Sequence, residues 1–221
     1  MIYKKIKKAT FIDRPNRFVA HVLVDGGEEV VHVKNTGRCK ELLREGVQVI
    51  LECSDNKSRK TAYDLICVYK ENLGWVNIDS QAPNKVVNEW LKNNNKIFKD
   101  ITFIKPEYVY GNSRIDFYLE QGERKILIEV KGCTLEIEGK GYFPDAPTIR
   151  GVKHLKELIK ATREGYECYV AFVIAMEGVS EVYANEITHK EFADALEEAR
   201  NAGVKVLNLK CVVTENELRI V

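Results

Sequence analysis

The run "YECYVAFVIAM", Tyr166–Met176, restricts the fold more than any other stretch of the chain. A strand with one wet face alternates apolar and polar residues, whereas an almost unbroken apolar run suits a strand covered on both faces of a sheet. Helical patterns flank it on both sides. "TIRGVKHLKELIKATREG" places Val152, Leu155, Leu158, Ile159 and Thr162 on one stripe, with Thr148 set to cap the helix and Gly165 to end it. "THKEFADALEEARNAG" turns Phe192, Leu196 and Ala199 inward and stops at Gly203, and "VKVLNLKCVV" reads as the next strand. Upstream, "NKVVNEWLKNNN" carries Val86, Val87, Trp90 and Leu91 on one face, and three strands follow at about 101–110, 114–120 and 125–131. The order αβββαβαβ predicts an α/β/α sandwich with a mixed central sheet over residues 80–221.

Residues 1–79 have another rhythm. "KKATFIDR", "RFVAHVLV", "EEVVHV", "VQVILEC" and "TAYDLICVYK" are short and rich in β-branched and aromatic residues. "DGG" at Asp25–Gly27 is a hairpin turn between the second and third. "NTGRCKELLREG" reads as a short helix capped by Asn35 or Thr36 and stopped by Gly46. Five strands with one helix after the third is the order of an OB-type barrel, a fold that often binds oligonucleotides, although a generic small barrel has the same pattern. The boundary falls near "NIDSQAPNK". The expected fold class is therefore α/β in two domains.

No apolar run approaches the ~20 residues of a membrane span, and the lysine-rich start lacks the apolar core of a signal peptide, so a cytoplasmic protein is expected. Six cysteines show no CxxC pair and no zinc-like spacing to histidine, which predicts reduced, mostly buried thiols. The net charge of +1 is unevenly spread. Residues 1–79 hold fourteen Lys and Arg against eleven Asp and Glu; residues 80–221 hold twenty against twenty-two. Arg14, Arg17, Lys34 and Arg38 on the barrel are candidates to track a DNA backbone without reading sequence. Tyr3 and Tyr63 are either base-stacking or packing residues.

The chemistry concentrates in "RIDFYLEQGERKILIEVKG". With the turn centred on Gly122 and Glu123, Asp116 falls directly opposite Glu129. Opposed residues share a sheet face with Cβ atoms ~4.5–5.5 Å apart. Lys131 points the same way, two residues on. Ile115, Phe117, Leu119, Ile126, Ile128 and Val130 would form the opposite, apolar face. Like charges opposed across a strand pair destabilise it unless something offsets the repulsion. A hard divalent cation such as Mg²⁺ or Mn²⁺ does so, taking one or two carboxylates and filling its remaining positions with water and phosphate. Lys131 would then stabilise charge on the phosphate or orient a water. The plainer account is a solvated face on which Lys131 neutralises two exposed acids. Arg150 and His154, four residues apart at the start of a helix, share a side and are candidate phosphate contacts, with a surface histidine as the alternative.

An Asp on one strand and Glu-x-Lys on the next, after a helix, resembles the PD-(D/E)xK nuclease superfamily, although "SRID" lacks the motif's proline. Longer stretches, "RFVAHV", "HVKNTGRCKELL", "NKVVNEWL", "SRIDFYL", "IEVKGCTL" and "FPDAPTIRGVKHLKEL", resemble the sugar fermentation stimulation protein A family along nearly the whole chain, with Cys39 after "NTGR" where the family usually has Met. The resemblance implies an N-terminal OB-type domain, a C-terminal restriction-endonuclease-like domain and DNA binding with little sequence preference. It implies Asp116 and Glu129 as metal ligands, Lys131 as catalytic lysine, and Glu89 as a further acid from the preceding helix, where a solvated glutamate is the alternative. Such nuclease domains can work as homodimers. Two functions follow: a Mg²⁺-dependent DNA endonuclease, or a DNA-binding regulator linked to sugar metabolism that cuts nothing.

Overall fold

The computed structural model describes every residue except Thr36, Lys57 and Asn94. The first sheet contains β1 (Ile6–Asn16), β2 (Val19–Val24), β3 (Gly27–Val33), β4 (Gln48–Cys53), β5 (Tyr63–Lys70) and β6 (Gly74–Asn77). Its order is β3-β2-β1-β4-β5-β6, and a parallel pairing of β3 with β5 closes it into a barrel. At the β2–β3 turn Asp25 and Gly26 both take positive φ (52° and 82°), as a two-residue type I′ hairpin requires.

The short helix expected between β3 and β4 does not form. Residues 40–42 and 45–46 are turns, and Cys39 has φ 46°, outside the helical region. Arg14 explains why: its guanidinium donates to the carbonyls of Arg17, Asn35, Gly37 and Arg38 at 2.7–3.0 Å, and the last three are acceptors that a helix would use. Asn35 caps nothing; its Oδ1 accepts from Gly37 N (2.7 Å), and its Nδ2 donates to Ile78 O (2.8 Å). Thr36, the other expected cap, lies outside the described residues. Strand β6 had no separate signal in the sequence.

The second half comprises α1 (Ala82–Asn93), β7 (Phe103–Tyr110), β8 (Ser113–Gln121), β9 (Arg124–Cys133), β10 (Leu135–Ile137), β11 (Lys140–Phe143), α2 (Ile149–Arg163), β12 (Glu167–Ile174), β13 (Val182–Ala184), α3 (Glu186–Asn201), β14 (Lys205–Val213) and β15 (Leu218–Ile220). Its main sheet runs β15-β14-β12-β9-β8-β7, parallel across β9, β12 and β14 and antiparallel outside them; β10, β11 and β13 form a small second sheet. β12 supplies both cores: Cys168, Val170, Phe172 and Ile174 pack toward α2 and α3, while Tyr169, Ala171 and Val173 pack toward α1. The α2-side core is continuous with the barrel interior, and Asn77 N donates to Ala175 O (2.9 Å), fastening the end of β6 to the end of β12.

Thr148 caps α2 by accepting from Gly151 N (3.1 Å), a contact worth about 1 kcal/mol. Gly165 ends that helix at φ 90°. α3 starts two residues before Thr188, capped by Asn185, and His189 breaks its first turn with non-helical φ and ψ. At the sheet edge, Pro106 pairs with Phe117 and Tyr108 with Ile115, while Glu107 between them takes φ 53°. No helix among the described residues is long and apolar enough to cross a membrane. All six cysteines are free thiols, and only Cys53 is not fully buried.

Candidate functional site at a splayed strand pair

β8 and β9 pair from Gln121–Arg124 to Phe117–Ile128, and the same register would next oppose Asp116 and Glu129. There the ladder stops. Asp116 Oδ2 accepts from Val130 N (2.7 Å), so a carboxylate takes the place of a strand carbonyl. The parting strands change one expected face as well: Ile115 packs with the α2-side core, while Phe117, Leu119, Ile126, Ile128 and Val130 pack toward α1.

The charges gather in the gap. Glu129 is only 1% exposed. Its Oε1 accepts from Lys131 Nζ (2.5 Å) and from His154 Nδ1. Its Oε2 is buried and has no hydrogen-bond partner. Asp116 Oδ1 accepts from Asn84 Nδ2 (2.7 Å). Burial, reinforced by the Glu129 charge, pushes the Asp116 carboxyl up to about 6. Burial also acts to raise Glu129, but the hydrogen bond from His154 and the charge of Lys131 outweigh it and hold Glu129 below its ordinary value. Arg150 Nε donates to His154 Nε2 (3.3 Å), which fits an imidazole whose Nε2 accepts and whose Nδ1–H donates to Glu129.

These groups open into a cleft of about 1210 Å³ between barrel and sandwich. Asn84, Asp116, Glu129, Lys131 and Arg150 line one wall; Arg17, Arg38 and Lys40 stand on the barrel side, all three exposed. Asp145 abuts the barrel loop: a Cβ on Gly37 would lie 2.3 Å from Asp145 Oδ2, so any larger residue there must push that carboxylate aside.

The structure thus brings Asp116, Glu129, Lys131, Arg14, Arg17, Arg38 and Arg150 to one cleft, and gives four expected residues, Arg14 among them, other work. Glu89 is exposed, bonded to the Met1 amino group (2.6 Å), and does not line the cleft; from α1 it is Asn84, in the first turn, that reaches Asp116. Arg14 spends its guanidinium on four carbonyls. Lys34 is half-buried among carboxylates, 3.0 Å from Asp79 and 3.4 Å from Glu52. His154, expected at the surface or on phosphate, is 4% exposed and serves Glu129. Tyr3 is buried, its hydroxyl donating to Asp79 (3.1 Å), and Tyr63 is half-buried in the barrel wall. Asn84 and Lys40 were not foreseen, because nothing in a lone Asn or Lys marks which cleft it will face.

Two carboxylates, one with a buried orphan oxygen and one whose charge is disfavoured, make a donor set suited to a hard divalent cation. Among the described residues no group of three or more His, Cys, Asp or Glu side chains converges on a metal-sized site, so such a cation would complete its coordination with other oxygens.

A closed barrel fastened to an α/β/α sandwich, with an acid pair and a lysine at the parting of two strands, defines an OB domain joined to a restriction-endonuclease-like domain. Residues 12–78 match the SfsA N-terminal OB domain, and residues 81–217 match the sugar fermentation stimulation protein RE domain. The chain is 54% identical over 220 residues to a sugar fermentation stimulation protein homolog of Ruminiclostridium cellulolyticum and 53% identical over 220 residues to one of Clostridium beijerinckii, covering all of this chain and 96% of each relative. The solved structure of Pyrococcus furiosus SfsA in complex with Ca²⁺ superposes with a TM-score of 0.88 at 27% identity, over 100% of this chain and 96% of that one. The chain belongs to the sugar fermentation stimulation protein family.

Proposed function

We propose that this protein binds DNA in the interdomain cleft and hydrolyses phosphodiester bonds there with Mg²⁺ or Mn²⁺ held by Asp116 and Glu129. The observation that carries the reading is the unpartnered Glu129 Oε2, buried beside the raised carboxyl of Asp116. A buried acceptor without a donor costs about 1–3 kcal/mol, more for a charged group, and a cation removes that cost. The relative from Pyrococcus furiosus, solved in complex with Ca²⁺, supports a hard-cation site. Such an ion supplies Lewis acidity toward a phosphate oxygen and an attacking water.

The chain's own side chains do the rest. Lys131, half-buried two residues after Glu129 and on the same face, places a fixed positive charge where negative charge grows on the phosphate. Asn84 and the Val130 amide hold Asp116 in one orientation. Arg17, Arg38 and Arg150 line the cleft as phosphate contacts, which position a duplex without reading its bases. Binding of that kind weakens steeply with salt and varies little with sequence.

A plasmid-nicking assay in Mg²⁺ and Mn²⁺, paired with DNA binding by the same samples, tests this. Asp116→Asn should abolish nicking and leave binding largely intact; equal nicking by variant and wild type would sink the proposal. A second reading, a DNA-binding regulator that does not cut, draws on the convergence of only two carboxylates among the described residues. It is favoured if DNA and metal both bind and no substrate is nicked.

A further inference from the structure

We infer that His154 is a positioning residue that turns Glu129 toward its cation, and that Arg150 keeps His154 in the tautomer that does so. The inference deepens the proposed function and rests on it. His154 is the one fully buried histidine among the described residues. Its partner is a carboxylate 1% exposed, which needs donors to remain charged. Both donors, Lys131 Nζ and His154 Nδ1, fall on Oε1, and Oε2 receives none. That asymmetry is the point. A carboxylate free to rotate would share its donors; one held from two directions presents the same bare oxygen every time.

The two donors hold it differently. Lys131 lies on the same strand as Glu129 and moves with it. His154 comes from α2, across the core, and ties Glu129 to the body of the sandwich. Arg150, one turn earlier on α2, donates through Nε to His154 Nε2. Only an imidazole without a proton on Nε2 accepts that bond, and such an imidazole carries its proton on Nδ1, facing Glu129. Arg150 is exposed and lines the cleft. One buried ring therefore joins a phosphate contact to a metal ligand.

Residues behind a metal ligand typically hold about 10–100-fold of its affinity. The test is calorimetric titration of Mn²⁺ into the full chain, without DNA, with a thermal melt of each variant. His154→Leu, which fills the space but donates nothing, should weaken Mn²⁺ binding by roughly 10–100-fold. His154→Asn, whose amide nitrogen branches from Cγ as Nδ1 does, should restore most of it. Arg150→Ala is the sharper case, because removing a positive charge near a cation site tightens binding on electrostatic grounds alone. The inference requires that it weaken Mn²⁺ binding, and Arg150 is exposed, so folding is not at stake. Tight binding by the Leu variant, equal loss in Leu and Asn, or unchanged or tighter binding in Arg150→Ala overturns the inference while wild type still binds and Asp116→Asn does not. A wild type that binds no Mn²⁺ overturns the proposed function with it.

Discussion

Asp116→Asn should stabilise the metal-free protein even as it removes the proposed activity. The Asp116 carboxyl is raised from 3.8 to about 6, first by burial and then by the Glu129 charge. A raised acid prefers its protonated form in the folded state, so the native protein binds more protons than the unfolded chain between those values. Stability therefore falls as pH rises through that window and levels off above it. At 1.36 kcal/mol per pH unit, the full penalty is roughly 3 kcal/mol. Asn carries no charge to penalise. Its Oδ1 can accept from Val130 N, and its Nδ2 can donate to Asn84 once that amide turns over. Scanning calorimetry in chelator should show the variant melting several degrees higher at pH 8, since 1 kcal/mol moves a domain of this size by about 2–4 °C. The gap should shrink to about half of its free energy at pH 5. Added Mg²⁺ should raise wild type and not the variant. A variant that melts at or below wild type at pH 8 in chelator would refute the claim that this acid pair is held at a cost.

Other predictions concern the basic residues and the barrel loop. Arg38→Ala should lower the slope of log affinity against log salt by about 1, measured by DNA titration over a salt series. Arg14→Ala should instead destabilise the barrel by about 2 kcal/mol or more in denaturant melts, because four carbonyls lose a charged donor. Lys34→Met should cost about 3–5 kcal/mol, since Asp79, 2% exposed, would lose its cation, and the salt slope should not change. Gly37→Ala should cost about 1 kcal/mol, the low end for overpacking, because a methyl there meets only the movable side-chain ends of Asp145 and Asn35, readable as a slightly lower denaturation midpoint.

The register of β8 and β9 was legible because a sheet has a period of two and the turn left one consistent pairing. The cap at Thr148 and the stops at Gly165 and Gly203 were legible for equally local reasons. What escaped the sequence depends on distant partners. Arg14 and Lys34 look like any basic residues until the fold supplies carbonyls to one and Asp79 to the other. His154 lies off the apolar stripe of α2, the usual mark of a surface position, yet the parting of β8 and β9 leaves a polar recess beneath it that Glu129 fills. The helix expected after "NTGR" had local signals in its favour and lost to a single long-range arginine. On α1, helical position could say that Glu89 was off the apolar face but not that the first turn, with Asn84, would meet β8.

The β7 margin has one further consequence. A long outer strand normally offers free N–H and C=O groups to any neighbour, and sheets join that way into stacks. Here Pro106 has no N–H to give, and the left-handed Glu107 breaks the spacing of the groups beside it. On the far side β15 is only three residues long, and Met1 and Ile2 lie over its start, where Leu218 N donates to Met1 O. Strand addition is therefore disfavoured at both ends of this sheet, and self-association of this domain is expected to use side chains.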